Sequence, residues 1–410
     1  MQRINELHPI NQDFEPEFYR DLHTDLMFLN LGPSHPASHG TLRTLVALDG
    51  ETIKAGVCEI GYLHRGFEKT AENRTYDQVI PYTDRLNYVS AIMNNVGFAK
   101  AVESLIGVEI TPRCQALRVI VSELMRIVDH LVCIGANLVD IGALTNFWYL
   151  FNKREQLYDI LDKLTGARLT NSFTRIGGLA RDAYEGFDSD VLHVLGEFEI
   201  AMQDVLKLVF RNKIFLKRTQ GVGIISQEDA LSYAFTGPCL RATGIPYDLR
   251  KEFPYYGYEN YEFDVAVGEV GDTYDRIMVR FEEITQSIRI VRQALKTLPD
   301  GPVNSDDKRV SLPPKKETYV NIEGLINHFK HIYEGVKVPA GEYYDATEAA
   351  NGELGFYIVS DGSGHPFRVR CRPPCFTIFS AYPQLIEGGL IADAIAILGS
   401  INIIAGELER

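Results

Sequence analysis

The string Gly32-Pro-Ser-His35-Pro-Ala-Ser-His39-Gly40 sets two histidines among two glycines and two prolines. Glycine tolerates backbone angles other residues avoid and proline fixes φ, so the string predicts a rigid turn presenting His35 and His39 at the approach to a strand. An imidazole held that way can bind a metal, pass a proton or bond to backbone. His-x-x-x-His aligns two metal ligands only on a helix; Pro36 opposes a helix there, and no third ligand lies nearby. The plainer alternative is a pair of rings that cap turns. A second run reads Gly61-Tyr-Leu-His-Arg65-Gly-Phe-Glu68-Lys69, then Arg74-Thr-Tyr76, then Tyr82-Thr-Asp84-Arg85-Leu-Asn-Tyr88. Charge and aromatic character alternate there too densely for simple core. Arg65 and Arg85 are solvated surface groups unless they face a partner's charge. Tyr88 offers a phenol that either packs with one satisfied hydroxyl or donates a proton. Asp140 lies amid the apolar stretch 131–151, where a carboxylate costs free energy unless paired or neutral.

These residues need elements to hold them. Residues 113–134 place Leu117, Ile120, Leu124, Ile127, Val128 and Leu131 on one helical face behind Pro112. Residues 272–298 repeat the pattern with Ile277, Phe281, Ile284, Ile288, Val291 and Leu295, and stop at Pro299-Asp-Gly. A third helix is predicted over 84–106, with Asp84 as its N-cap and Tyr88 on its first turn, and Ser226 with Asp229 marks the start of a fourth. The ends read differently. Residues 41–48 and 356–359 are β-rich, and Asp361-Gly-Ser-Gly joins 356–360 to 367–371 as a hairpin. The expected class is α+β, mainly α: a long-helix core flanked by small sheets from both termini. Residues 301–316 read as a polar surface loop rather than a linker. The aromatic residues of 246–263 suggest either an interface or a satellite cluster under a loop.

Composition narrows the function. The chain has 410 residues, 45% hydrophobic and 23% charged, which fits a folded globular chain and excludes disordered or collagen-like classes. A net charge of −14 opposes binding to nucleic acid or anionic lipid. No signal or transit peptide is visible in the acidic first twenty-five residues. Six cysteines without framework spacing fit a reducing compartment; Cys371 and Cys375 lack a second pair to complete a metal site. Stretches 131–151 and 390–406 carry polar breaks and read as buried helices, not membrane spans.

The strings GPSHPASHG, IGYLHRGFEK, RTYDQVIPYTDRLNYVS, TRIGGLARD, GIPYDLRKEFPY, FDVAVGEVGDTYDR, HFKHIYEG and GFYIVSDGSGHPFRVR occur in order along the chain. Together they resemble the D-subunit family of the proton-pumping NADH:quinone oxidoreductase, respiratory complex I, itself related to the large subunit of nickel-iron hydrogenases. The resemblance implies an N-terminal extension over 1–25 and one hydrogenase-large-subunit-like domain over 26–410, divided into an N-terminal sheet at 28–80, a helical core at 84–300 and C-terminal strands and helix at 340–410. It implies that His39 and Tyr88 hold the carbonyl oxygens of a quinone head group and that Asp140 pairs with His39. It implies that Arg65 and Arg85 lie near, without ligating, the terminal 4Fe-4S cluster of the iron-sulfur partner, the B subunit. The chain itself would bind no cluster, flavin or nickel. Expected partners are the B and C subunits, the membrane-arm H subunit and quinone, on the cytoplasmic side of the inner membrane, as a peripheral component coupling quinone reduction to proton translocation.

One departure bears on chemistry. Many family members carry a histidine near the cluster where this chain aligns Thr170. A hydrogenase reading fails for want of two C-x-x-C pairs: the chain has Asn87 in one region and the tail SINIIAGELER in the other. Two alternatives stay open, a related complex using a donor other than NADH and a scaffold joining the redox and membrane arms.

Overall fold

The computed structural model describes residues 26–35, 38 and 40–410. The helix Pro112–Asp140 runs through the centre, longer than the spacing alone predicts. Pro112 occupies its first turn, where a missing N–H costs nothing, and Thr111 Oγ1 accepts from the Cys114 amide at 3.3 Å. Leu117, Ile120, Leu124, Ile127, Val128 and Leu131 are wholly buried. At about 1.5–3 kcal/mol for each such side chain, this stripe dominates the helix's stability. The helix Thr273–Lys296 packs along it with Ile277, Phe281, Ile284, Ile288 and Val291 turned inward, and Asp272 caps its start by accepting from the Asp275 amide at 2.9 Å.

The helix Leu144–Thr165 folds back on the central one after a break at 141–143, where Gly142 adopts φ +96°. The stretch 131–151 is therefore two helices, and its second half is not buried throughout: Leu144, Trp148 and Tyr149 face outward. Among the described residues no helix is long and apolar enough to cross a membrane.

Two antiparallel sheets flank the helices, as the α+β reading expects. The first orders Met27–Leu31, Arg43–Asp49 and Thr52–Glu59 in sequence, with Thr44 opposite Cys58 and a register slip at Ala47/Leu48. The second orders Gly341–Ala349, Gly352–Ser360 and Arg368–Arg372. Its latter pair is the expected hairpin, with Tyr357 opposite Arg370. Residues 301–314 are stitched to the small hairpin at 174–179: the Leu179 amide donates to Asn304 Oδ1 at 3.0 Å and the Ser305 amide to the Gly177 carbonyl at 2.8 Å.

One further expectation changes, and one open alternative is decided. Asp84 does not start a helix; it follows the helix Tyr76–Thr83, and the next helix, Ala91–Ile106, begins seven residues later. Asp84 is buried and accepts from Asn95 Nδ2 at 2.7 Å and from the Ser172 hydroxyl, while Asn87 Oδ1 receives the amides of Val89 and Ser90. These side chains stabilise a turn in place of helical bonds. The aromatic residues of 246–263 form core rather than an interface. Tyr258, Tyr261 and Phe263 are buried, Tyr258 meets both others edge to face, and its hydroxyl donates to Glu123 Oε1 at 2.6 Å; Phe253 alone among the large ones is well exposed.

Candidate functional site

Four segments distant in sequence meet at one wall. Arg65 is the tie. Its Nη1 donates to the Arg85 carbonyl and its Nη2 to the Gly406 carbonyl, each at 2.7 Å. His64 Nδ1 lies 2.6 Å from the Glu409 carbonyl, and the Leu63 amide donates to the Glu409 carboxylate. The residue at 406 has to be glycine: a Cβ there would fall 2.5 Å from the Arg85 carbonyl oxygen and 2.7 Å from that of Leu86. Loop 60–66, turn 84–90 and helix Ala405–Glu409 are thus locked together.

The histidine-bearing loop is the fourth segment. Ser38 is buried, its hydroxyl 2.7 Å from the His35 carbonyl and 2.9 Å from that of Gly40. Gly32, at φ +101°, lets the loop close, since a Cβ would stand 2.0 Å from the Leu42 carbonyl oxygen. A Cβ on Gly40 would touch Ala405 at 3.4 Å, so the loop lies against the same helix that Arg65 holds. His39 lies outside the described residues.

Tyr88 sits half-buried on the 84–90 turn, not on a helix. Burial pushes its phenol above the ordinary value; Cys375 and Asp129 add to the rise and Arg65 opposes it. Arg85 projects to solvent, with Nη1 on the Pro81 carbonyl and 3.5 Å from Asp84 Oδ2. Burial raises the Asp84 carboxyl, against the bonds from Ser172 and Asn95. Through Ser172 the turn reaches the segment containing Thr170, which is half-buried beside Asn171, whose Nδ2 donates to the Ala167 carbonyl at 2.6 Å.

The structure brings Arg65, Arg85 and Tyr88 together. Asp140 is the last residue of the central helix, with Oδ2 3.0 Å from where a Cβ on Gly399 would lie. Its position eleven residues past Asp129 puts it about 16 Å further along the helix axis.

The sequence reading missed a buried polar chain behind Tyr88. Asp129 Oδ2 accepts from Asn87 Nδ2 (2.8 Å) and Ser90 Oγ (2.9 Å), and Oδ1 from Asn402 Nδ2 (2.8 Å). Asn402 Nδ2 also reaches Asn351 Oδ1 at 2.6 Å, Asn351 Nδ2 meets Cys375 Sγ at 3.4 Å, and that thiol lies 3.3 Å from Glu407 Oε2. Burial, with Asp129 nearby, pushes the Glu407 carboxyl up to about 7. A signal existed: Asp129 falls among the apolar residues Ile127, Val128 and Leu131 of a helix that the spacing buries, and a buried polar group needs partners. Among the described residues no group of three or more His, Cys, Asp or Glu is arranged to hold a metal.

Comparison with known proteins decides the family. Residues 140–410 match the family described as respiratory-chain NADH dehydrogenase, 49 kDa subunit. The chain belongs to that family. A combined C/D subunit of NADH-quinone oxidoreductase from Bdellovibrio bacteriovorus is 55% identical over 403 residues, 98% of this chain and 72% of the relative. The first of the numbered D subunits of that enzyme from Sorangium cellulosum is 54% identical over 405 residues, 98% of this chain and 100% of the relative. The D subunit from Myxococcus xanthus is 53% identical over 396 residues, 97% and 95% of the two chains. Membership of the 49 kDa family makes this chain a component of the complex I oxidoreductase, and the wall around Arg65 is a feature of that component.

Proposed function

We propose that the wall carrying Tyr88 forms part of the quinone head-group site of the peripheral arm, beside the terminal iron-sulfur cluster of the B subunit. One observation carries the reading: Arg65 fixes three separate segments around Tyr88 while the histidine loop rests on the same 405–409 helix. A fold that only joined other subunits has no need of a half-buried phenol beside such a junction.

Reduction of a quinone to quinol takes two electrons and two protons, and negative charge gathers on the carbonyl oxygens as electrons arrive. Tyr88 and His39 supply hydrogen-bond donors to those oxygens and then protons, help worth roughly 10²–10⁴-fold when well placed. Asp140 pairs with His39 and raises its proton affinity, so that the imidazole starts charged. Arg65 and Arg85 face the B subunit, where positive charge favours the reduced cluster. The relative that joins C and D in one polypeptide supports the C subunit as a further partner, and the H subunit completes the site from the membrane arm. The protein lies peripherally on the cytoplasmic face of the inner membrane and serves the coupling of quinone reduction to proton translocation.

The test uses the assembled complex. Tyr88→Phe keeps the ring and removes the proton, so quinone reduction per complex should fall at least about tenfold, within the range for general-acid help; Asp140→Asn should impair it with assembly intact. Parental turnover in Tyr88→Phe would remove the phenol from the chemistry.

A further inference from the structure

The chain of polar groups behind Tyr88 has a composition that a purely structural network does not need. Asp129 and Glu407 are almost wholly buried, at 1% exposure each. The partners of Asp129 are amides and a hydroxyl, and those of Glu407 are the thiol and amide of Cys375. Asp129 accepts three bonds from groups that can only donate, or readily do, which suits the ionised form. A second ionised carboxylate close by would be opposed by the first and by burial together. Glu407 is therefore the member of the pair that holds a proton.

Every element around Glu407 contributes to that balance. Asp129 faces it from the central helix, Cys375 from the helix Pro374–Ser380 and Cys371 from the strand Arg368–Arg372. Arg410, Arg372 and Glu68 lie around Cys371, Arg65 is bonded to the Gly406 carbonyl, and the buried Glu409 follows Glu407 on the same short helix. Tyr88 feels Cys375 and Asp129 from the turn 84–90, and Asn87, its neighbour, bonds Asp129 directly.

We infer that Glu407, bonded to Cys375 at the end of the buried chain that begins at Asp129, is a buried proton store that replenishes Tyr88 during quinone reduction. The inference rests on the quinone-site reading given above. When Tyr88 gives its proton to a quinone oxygen, a phenolate remains. The Cys375 thiol supplies a proton toward that phenolate and takes one from the Glu407 carboxyl, leaving Tyr88 and Cys375 protonated and Glu407 ionised. Uptake of one proton from outside restores Glu407. Glu407 acts through Cys375 and Tyr88, and so is a positioning residue for the proton rather than one that meets the quinone.

The experiment compares quinone reduction by assembled complexes from about pH 5.5 to 8.5, a window that brackets the carboxyl's titration, with a short-chain quinone as acceptor and rates normalised to complex content. The parent should lose turnover as pH rises through about 7, where the store empties. Glu407→Gln should lower kcat about tenfold with little change in KM and abolish that limb; Glu407→Asp should retain it at a displaced pH. Cys375→Ser keeps a proton-passing group and should retain the limb, whereas Cys375→Ala should slow turnover. Redox-induced infrared difference spectra should show a protonated carboxyl band that disappears in Glu407→Gln, a readout that persists even if a variant turns over poorly. An unchanged limb and band in Glu407→Gln overturns the store. If Tyr88→Phe is slow while Glu407→Gln keeps both signals, only the store fails; if Tyr88→Phe is unaffected, the quinone-site reading fails.

Discussion

Two buried polar clusters lie along the same central helix, and they solve the problem of buried charge in opposite ways. In the first, arginines answer carboxylates. Glu123 meets Arg250 at 3.1 Å and Arg126 at 3.2 Å, and also accepts from Ser287 at 2.7 Å. Arg241 bridges Glu283 (2.6 Å) and Glu348 (2.8 Å), and His130 Nε2 joins Glu283 at 2.8 Å. Burial pushes these carboxyls up, but the arginines outweigh it, holding Glu123 down to about 2 and keeping Asp248 and Glu283 low as well; Glu348, buried and crowded by Asp248, alone is raised. In the second cluster, which starts from Asp129 on the same helix, Asp129 and Glu407 are bonded to amides, one hydroxyl and a thiol. Fixed charge makes a rigid joint among the central helix, the 273–296 helix and the second sheet. Uncompensated charge makes a group that can change protonation near the pH of the cell.

The comparison breaks most visibly if Glu123 is removed. Glu123→Ala leaves Arg126 and Arg250 without a shared counter-charge, and losing one partner of a buried ion pair costs about 3–5 kcal/mol. The expected result is loss of assembled complex, or of its thermal resistance, with Glu123→Gln recovering only part. Parental stability in Glu123→Ala would show that Asp248 and the backbone carbonyls at 348 and 349 suffice for those arginines.

The next effect separates the clusters by the sign of their pH dependence. Glu123 titrates below its unfolded value of 4.5, so its contribution is present above 4.5 and is lost as pH falls toward about 2. Glu407 titrates above 4.5, at about 7. Its contribution is complete below the unfolded value and is lost as pH rises through that folded one, at a cost on the order of 3 kcal/mol. Hydrogen exchange of residues 402–410 in the assembled complex, corrected for intrinsic rates, should therefore report weaker protection at about pH 8 than at about pH 5. Glu407→Gln should flatten that difference.

What was legible in the sequence followed the same division. Apolar periodicity located both long helices because burying a stripe such as Leu117 to Leu131 is a local matter of spacing. The start of the 91–106 helix was misplaced because Asp84 looks like a cap until Ser172, eighty-eight residues away, is seen to take its carboxylate. Arg65, Arg85 and Tyr88 stood out through dense motifs, and they do share a wall. Glu407, Cys375 and Asn402 carried no local signal, since each is an ordinary residue whose role arises from the chain's return to the central helix.

The smallest expected effect concerns Thr170, which the turn at Asp84 ties to the Arg85 side of the wall. Ser172 is bonded to Asp84 and Asn171 to the Ala167 carbonyl, so the two residues that follow 170 are both anchored. On the proposal that this wall faces the cluster of the B subunit, a histidine placed there would bind a proton as reduction adds negative charge, because an imidazole titrates around 6.5 and an added negative charge raises that value. The threonine cannot. The cluster's midpoint potential in the parent complex should vary little between about pH 6 and 8, and Thr170→His should introduce a slope approaching, at most, about 59 mV per pH unit for one proton per electron. Redox titration of the cluster at several pH values measures both. A full slope already present in the parent would mean that another group on this wall takes up the proton; Asp84, buried and raised, is the first to test because it lies between Thr170's segment and Arg85. In that case Asp84→Asn, and not Thr170→His, is the substitution that changes the slope.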